Sequence, residues 1–307
     1  MDTRKQLLQL WLKEKLNVKT IDLVPLAGDA SFRRYFRLKK RQKSYIAMDA
    51  PPDKEPCAPY IKIDKALEKA NLTVPHIIAQ NIEEGFLLLS DLGNKLLVQE
   101  ASHDNANKLY SLTIQKLLQM QKKVDIQSLH LESFIHQRLP LELAYHTEWF
   151  LQKFLEITLT QKQQSLLKKV YELLLTNANA QPTTFIHLDY HSRNLMVLPH
   201  DIGILDFQDA MIGPITYDLV SLIRDCYLSW PVVQVNHWAL NYRKAAIENR
   251  LLSHEVSDAL FLRWFDLMGM QRHLKASFIF ARKFLRDDNK DYLKDIPRTL
   301  NYVMNVC

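Results

Sequence analysis

The hydrophobic period of this 307-residue chain changes near Leu92-Gly93, and that change limits the folds open to it more than any other feature. Ahead of it, short apolar runs at residues 21–26, 35–38, 45–48, 74–79 and 86–89 predict strands. Turn residues separate them: Gly28-Asp29-Ala30-Ser31, the basic stretch from Lys39 to Lys43, and Glu84-Gly85. Leu7, Leu8, Leu10, Trp11 and Leu12 predict an amphipathic opening helix. Residues 61–69 carry helical spacing, and Pro51, Pro52 and Pro56 break regular structure before it. Beyond Gly93 the period is helical through 109–120, 139–154 and 166–175. A strand-rich interruption follows at 184–188, 195–198 and 202–207, with Gly203 in the turn between the last two, and helices resume from about Pro214. The expected fold is α+β in two lobes. Residues 1–92 would form a small antiparallel-sheet lobe, and 93–307 a larger, mainly helical one.

Composition sets the class. With 47% hydrophobic and 24% charged residues the chain reads as an ordinary soluble globular protein. A net charge of +6 could draw polyanions, but the closest thing to a basic run, Lys39-Lys40-Arg41-Gln42-Lys43, sits where a hairpin turn is expected. A solvated surface is the better reading, and no nucleic-acid partner is expected. Cys57, Cys226 and Cys307 are far apart and lack zinc spacing, which suits free thiols in a reducing compartment. No apolar stretch approaches membrane-spanning length, and no basic segment leads into an apolar leader. A cytoplasmic monomer with no membrane partner is expected.

The chemistry is concentrated in Phe185-Ile186-His187-Leu188-Asp189-Tyr190-His191-Ser192-Arg193-Asn194, a polar loop between two apolar strands, and in Leu205-Asp206-Phe207 twelve residues on. Mg²⁺ takes a few oxygen ligands from a protein and shares the rest with phosphate and water, and Asn194 and Asp206 offer such oxygens. Asp189 is placed to orient an attacking hydroxyl and accept its proton. His191 and Arg193 supply donors or positive charge beside a transferred phosphate, and His187 is expected to organise the loop. A zinc hydrolase is the competing reading, because His187, Asp189 and His191 alternate and would share one face of a strand. No second His/Asp cluster of similar quality supports it.

These segments resemble the aminoglycoside phosphotransferase family, small-molecule relatives of protein kinases, and the resemblance spans nearly the whole chain. His187 to Asn194 is similar to that family's catalytic loop and Leu205 to Ala210 to its metal-binding segment. Gly213-Pro214-Ile215-Thr216-Tyr217-Asp218-Leu219 resembles the stretch whose aspartate, here Asp218, braces the loop. Within the family, residues 28–35, 48–52, 206–210 and 217–227 most resemble kinases that phosphorylate the anomeric hydroxyl of N-acetylmuramate and N-acetylglucosamine in cell-wall recycling. The resemblance implies ATP and Mg²⁺ as cofactors and a small-molecule sugar as partner. It implies that Gly28, Asp29, Ser31, Phe32 and Arg33 cover the nucleotide phosphates. It implies that Ser90, Asp91 and Leu92 form the hinge to adenine, and that Met48 or Leu89 packs on its ring. Sugar-binding candidates are Asp209, Arg224, Asp225, Tyr227 and Trp230, with Glu142, Glu148 and Trp149 on an earlier helix. Other acceptors, and a non-catalytic nucleotide-binding module, stay open as alternatives. One departure stands out. Kinases of this kind carry a lysine on the third strand, and here that strand reads Tyr45-Ile46-Ala47-Met48, leaving Arg33, Arg34 or Lys54 as substitutes.

Overall fold

The computed structural model describes residues 2–26 and 32–306. Gly28, Asp29 and Ser31 therefore lie outside the described residues. The chain divides into two compact units, Met1–Lys95 with Met196–Asp209, and Leu96–Leu195 with Ala210–Cys307.

In the first unit, α1 (Thr3–Leu16) starts where the Asp2 carboxylate accepts the Lys5 N–H and stops at a left-handed Asn17. Its Leu8, Trp11, Leu12 and Leu16 recur at helical spacing and form one buried stripe. The stripe packs on a five-stranded antiparallel sheet of β1 (Val24–Pro25), β2 (Arg34–Lys40), β3 (Lys43–Asp49), β4 (Ile77–Asn81) and β5 (Phe86–Ser90), ordered β1-β2-β3-β5-β4. The helix α2 (Cys57–Lys69) is inserted between β3 and β4. Strand alternation decides which side chains share a face. Phe36, Ala47 and Leu88 are register partners and join the α1 core, and Tyr35, Met48 and Leu87 are partners on the opposite face. Of the run predicted as a strand at 21–26, Val24–Pro25 forms β1, and the Leu26 N–H also donates to the Tyr35 carbonyl at 2.9 Å.

In the second unit come α3 (Leu97–Glu100), α4 (Ala106–Lys123), α5 (Ile126–Leu129) and α6 (Leu139–Tyr145). The helix α6 runs between π-helical turns at Phe134–Arg138 and His146–Phe154, and α7 (Gln161–Asn179) follows behind a Thr160/Gln163 capping box. The strand β6 (Thr183–Ile186) leads into the polar loop. Next, β7 (Leu195–Val197) pairs with β8 (Ile202–Ile204); from Met196 this hairpin belongs to the first unit, within which Thr73 and Gly203 form a parallel bridge. A further strand, β9 (Met211–Pro214), pairs antiparallel with β6; residues 211–214 were not predicted as a strand. Helices α8 (Tyr217–Ile223), α9 (Val232–Glu248), α10 (Asp258–Asp287) and α11 (Ile296–Met304) complete the unit. The 30-residue α10 buries side chains from Phe261 to Ala281. Among the described residues the thiols of Cys57 and Cys226 are free, and no helix is long and apolar enough to cross a membrane.

Candidate active site

The loop that leaves β6 is held by buried acceptors. Leu188 adopts φ +76°, a conformation that costs a branched side chain energy unless its surroundings impose it. Asp218, in the first turn of α8, imposes it: its carboxylate accepts the His187 N–H at 2.6 Å and the Leu188 N–H at 3.2 Å. Burial pushes the Asp218 carboxyl up to about 7 in spite of those two bonds. His187 is buried, and its Nδ1 accepts the Asp189 N–H at 3.2 Å. Tyr190 reaches down to the Thr113 carbonyl on α4 at 2.9 Å. Asp225 closes the far side, accepting the N–H groups of Ser192 and Tyr227 at 2.9 Å each. Asp225, one of the expected sugar contacts, has both oxygens bonded to backbone N–H groups.

The open side carries the candidate catalytic groups. Asn194 donates its amide N–H to the Asp189 carbonyl at 3.0 Å, which turns its side-chain oxygen away from that bond. Tyr227 is a floor for two loop side chains. The Arg193 guanidinium lies 3.6 Å from its ring centroid and the His191 ring stands edge-on at 5.3 Å. The Asp189 side chain keeps 39% of its surface exposed, and its Oδ1 lies 3.3 Å from the Lys275 ammonium on α10. Burial works to raise the Asp189 carboxyl. Lys275, His191, Arg272 and His187 outweigh it, so the group stays well below the ordinary carboxylate range. Lys275 also donates to the Tyr217 hydroxyl at 3.3 Å and lies 3.9 Å from Glu142. Arg272 donates to the same hydroxyl at 3.3 Å, and Gln271 donates to Glu142 at 2.8 Å.

The first unit holds the nucleotide-side candidates together with Asp206 and Asp209. Asp206 has φ +60°, and its carboxylate accepts from Gln208 Nε2 at 2.9 Å; the same amide lies 3.5 Å from exposed Asp209. Phe207 packs on Tyr60 with ring centroids 4.8 Å apart. Of the three cations considered for the absent lysine, Arg34 is bound to Asp2 and Asp49, and Lys54 is exposed beside Asp53. Arg33 is only 9% exposed and pairs with Glu55 at 2.7 Å. Burial pushes the Tyr35 hydroxyl up, Asp206 adds to that shift and Arg33 opposes it, so these three groups lie in one electrostatic neighbourhood. Phe32 is 62% exposed, whereas Met48 and Leu89 are buried. Ser90 Oγ accepts the His76 N–H, and Asp91 is pinned by Arg37 at 2.7 Å and by the Gly93 N–H. Leu92 is half-buried, its Cδ1 packed close to Gly203.

Other expected sugar contacts have different neighbours. Arg224 pairs with Asp266 and lies over the Phe265 ring. Trp230 is core, donating to Tyr110 and packed on Trp238. Glu148 pairs with Lys153, whose ammonium sits 3.8 Å above Trp149. The zinc reading fails on His187, whose ring is buried and bonded within the loop, and no group of three or more His, Cys, Asp or Glu among the described residues could hold a metal. Asn194 and Asp206 remain as oxygen donors of the kind Mg²⁺ takes. Sequence reasoning missed Lys275, Arg272, Gln271 and Gln208. A signal existed for Lys275, a lone charge in the apolar run Leu274-Lys275-Ala276-Ser277-Phe278-Ile279-Phe280.

Comparison with known proteins agrees with this geometry. A profile described as the phosphotransferase enzyme family matches residues 22–254. A Pseudomonas aeruginosa protein named N-acetylmuramate/N-acetylglucosamine kinase is 40% identical, over 98% of this chain and 91% of its own. An ADP-bound aminoglycoside phosphotransferase matches with a TM-score of 0.67 at 15% identity, covering 100% of this chain and 99% of that one. An ethanolamine kinase of Plasmodium vivax matches with a TM-score of 0.70 at 12% identity, covering 98% and 87%. These two likenesses are ones of fold, and the fold is the predicted kinase-like one.

Proposed function

Because the chain belongs to the phosphotransferase enzyme family, we propose that it is an ATP-dependent sugar kinase that phosphorylates the anomeric hydroxyl of N-acetylmuramate and N-acetylglucosamine. The acceptor rests on the Pseudomonas aeruginosa relative, identical at 40% of positions along nearly the whole chain. The chemistry rests on one observation: an Asp189 carboxylate held at Oδ1 by Lys275, its side chain 39% exposed, in one loop with His191, Arg193 and Asn194.

In this reading residues 1–92 bind ATP and residues 93–307 carry the catalytic loop and the sugar. Phe32 and Arg33 meet the phosphates, the segment from Leu89 to Leu92 meets adenine, and Met48 packs against it. Asp189 accepts the hydrogen bond of the attacking hydroxyl and takes its proton as the new P–O bond forms and the bond to ADP breaks. Surrounded by cations, Asp189 is a weak base. An anomeric hydroxyl, acidified by the adjacent ring oxygen, demands less of a base than an ordinary alcohol does. Arg193 and His191 face the charge that develops on the phosphoryl group. Asn194 and Asp206 are the residues that would hold Mg²⁺, and Gln208 steadies Asp206. Held there, Mg²⁺ would supply positive charge against the phosphates. Asp209 and Tyr227 stay as sugar-side candidates. A cytoplasmic monomer suits a soluble metabolite substrate.

Asp189→Asn keeps the size and loses the base. Phosphate transfer should fall by about 10²- to 10⁴-fold while the thermal midpoint is retained. Unchanged turnover would remove Asp189 from the mechanism.

A further inference from the structure

Lys275 sits near the middle of α10 with its side chain 4% exposed. An ammonium taken out of water is destabilising unless anions and acceptors surround it. Here they do: Asp189 Oδ1 and the Tyr217 hydroxyl at 3.3 Å each, and Glu142 Oε1 at 3.9 Å. Glu142 is itself buried and fastened, its Oε2 by Gln271 at 2.8 Å and its Oε1 by Arg138 at 3.2 Å. A methionine would fill the same space without a buried charge, so packing alone does not account for a lysine at this position. The arrangement at Asp189 is asymmetric. Its Oδ1 is bonded to Lys275, its side chain is more than one-third exposed, and the rest of its loop is tied down through backbone atoms.

We propose that Lys275 is a positioning residue for phosphoryl transfer: it holds the Asp189 carboxylate by Oδ1 so that Oδ2 is presented to the acceptor hydroxyl, and Glu142 keeps the ammonium in place. The proposal rests on the reading of Asp189 as the base. A carboxylate released from this contact can rotate about its side-chain bonds, and misplacement of a catalytic group by about 1 Å costs on the order of 10²-fold in rate. Loss of the contact therefore reaches turnover and leaves ground-state binding alone.

A double-mutant cycle tests this, with steady-state transfer from ATP to N-acetylmuramate as the readout. Lys275→Met should lower kcat by about 10²-fold while KM for sugar and for ATP stay within about threefold. In an Asp189→Asn background the same change should cost no more than about threefold, because the group it positions is gone. Should Lys275→Met fail to fold, Lys275→Ala assayed with added propylammonium replaces it, and recovery of kcat with amine is the expected result. Wild-type kcat in Lys275→Met, a full repeat of the loss in the Asp189→Asn background, or no recovery with amine would overturn the proposal. Asp189→Asn with unchanged turnover would instead sink the base assignment itself, and Lys275 with it.

Discussion

Arg33, Arg34 and Lys54 are equivalent in the sequence and separate once their partners are known. Arg34 is divided between Asp2 and Asp49, Lys54 stays in solvent, and Arg33 is drawn in against Glu55 near Tyr35 and Asp206. A cation oriented by a glutamate is what a phosphate anchor needs, since its donors are aimed before the nucleotide arrives. Arg33→Met should therefore raise KM for ATP about ten- to a hundredfold, the worth of one charge-assisted contact, with KM for the sugar little changed. Arg33→Lys should recover part of the loss. Equal ATP affinity in Arg33→Met would remove this role. Asp189, Asn194 and Asp206 stood out as candidates in the sequence because their types and spacing suit phosphoryl transfer. The partners of Asp225 and Trp230 were not legible, because a sugar site and a braced loop use the same polar and aromatic side chains. Lys275 was not legible as a partner of Asp189, because 86 residues separate the two in the chain.

Among the elements, those decided locally could be read. The α1 stripe and the β4–β5 turn at Gly85 follow from neighbouring residues, whereas the Thr160/Gln163 capping box that starts α7 at Gln161 was missed, the helical period predicting that helix only over 166–175. Gly85 has φ +73°, and a Cβ there would stand 1.9 Å from the Ala50 carbonyl oxygen, which β-carbons do not tolerate. Gly85→Ala should destabilise the protein by more than about 1 kcal/mol in chemical denaturation. A change below about 0.5 kcal/mol would mean the turn relaxes freely. Elements decided at a distance could not be read. Met211-Ile212-Gly213-Pro214 is short and contains two residues that weaken strands. It becomes β9 only because β6 offers it a partner. Widening of the helix around α6 into π turns leaves no distinct pattern in a periodicity that still looks helical.

For the whole molecule, buried titratable groups set how stability depends on pH. Burial raises Asp64 from 3.8 to about 7, so its contribution to stability is present below pH 4 and is lost as the pH rises toward 7. Burial lowers His146 from 6.5 to about 4, so its contribution is present above pH 6.5 and is lost as the pH falls toward 4. Asp64→Asn should raise the thermal midpoint relative to wild type more at pH 8 than at pH 4. His146→Gln should show the opposite order. Shifts equal at both pH values would show that neither group is titrated by folding. The change of hydrophobic period near Leu92-Gly93 and the return of strands near 184 were enough to predict a two-lobed α+β chain, and the kinase-like reading came from the resemblance of residues 187–194, 205–210 and 213–219. The acceptor was not legible in that pattern, because the catalytic loop is built for phosphate and carries no imprint of the sugar.

The acceptor atom is the most direct test of the account. Purified protein, ATP and Mg²⁺ would be incubated with N-acetylmuramate, with N-acetylglucosamine and with their 1-O-methyl glycosides, and the products read by ³¹P NMR. Transfer to the two free sugars, phosphorus coupled to the anomeric proton, and no product from the glycosides is the predicted result. Phosphorylation of the glycosides, or turnover confined to an amino alcohol or an aminoglycoside, would contradict it.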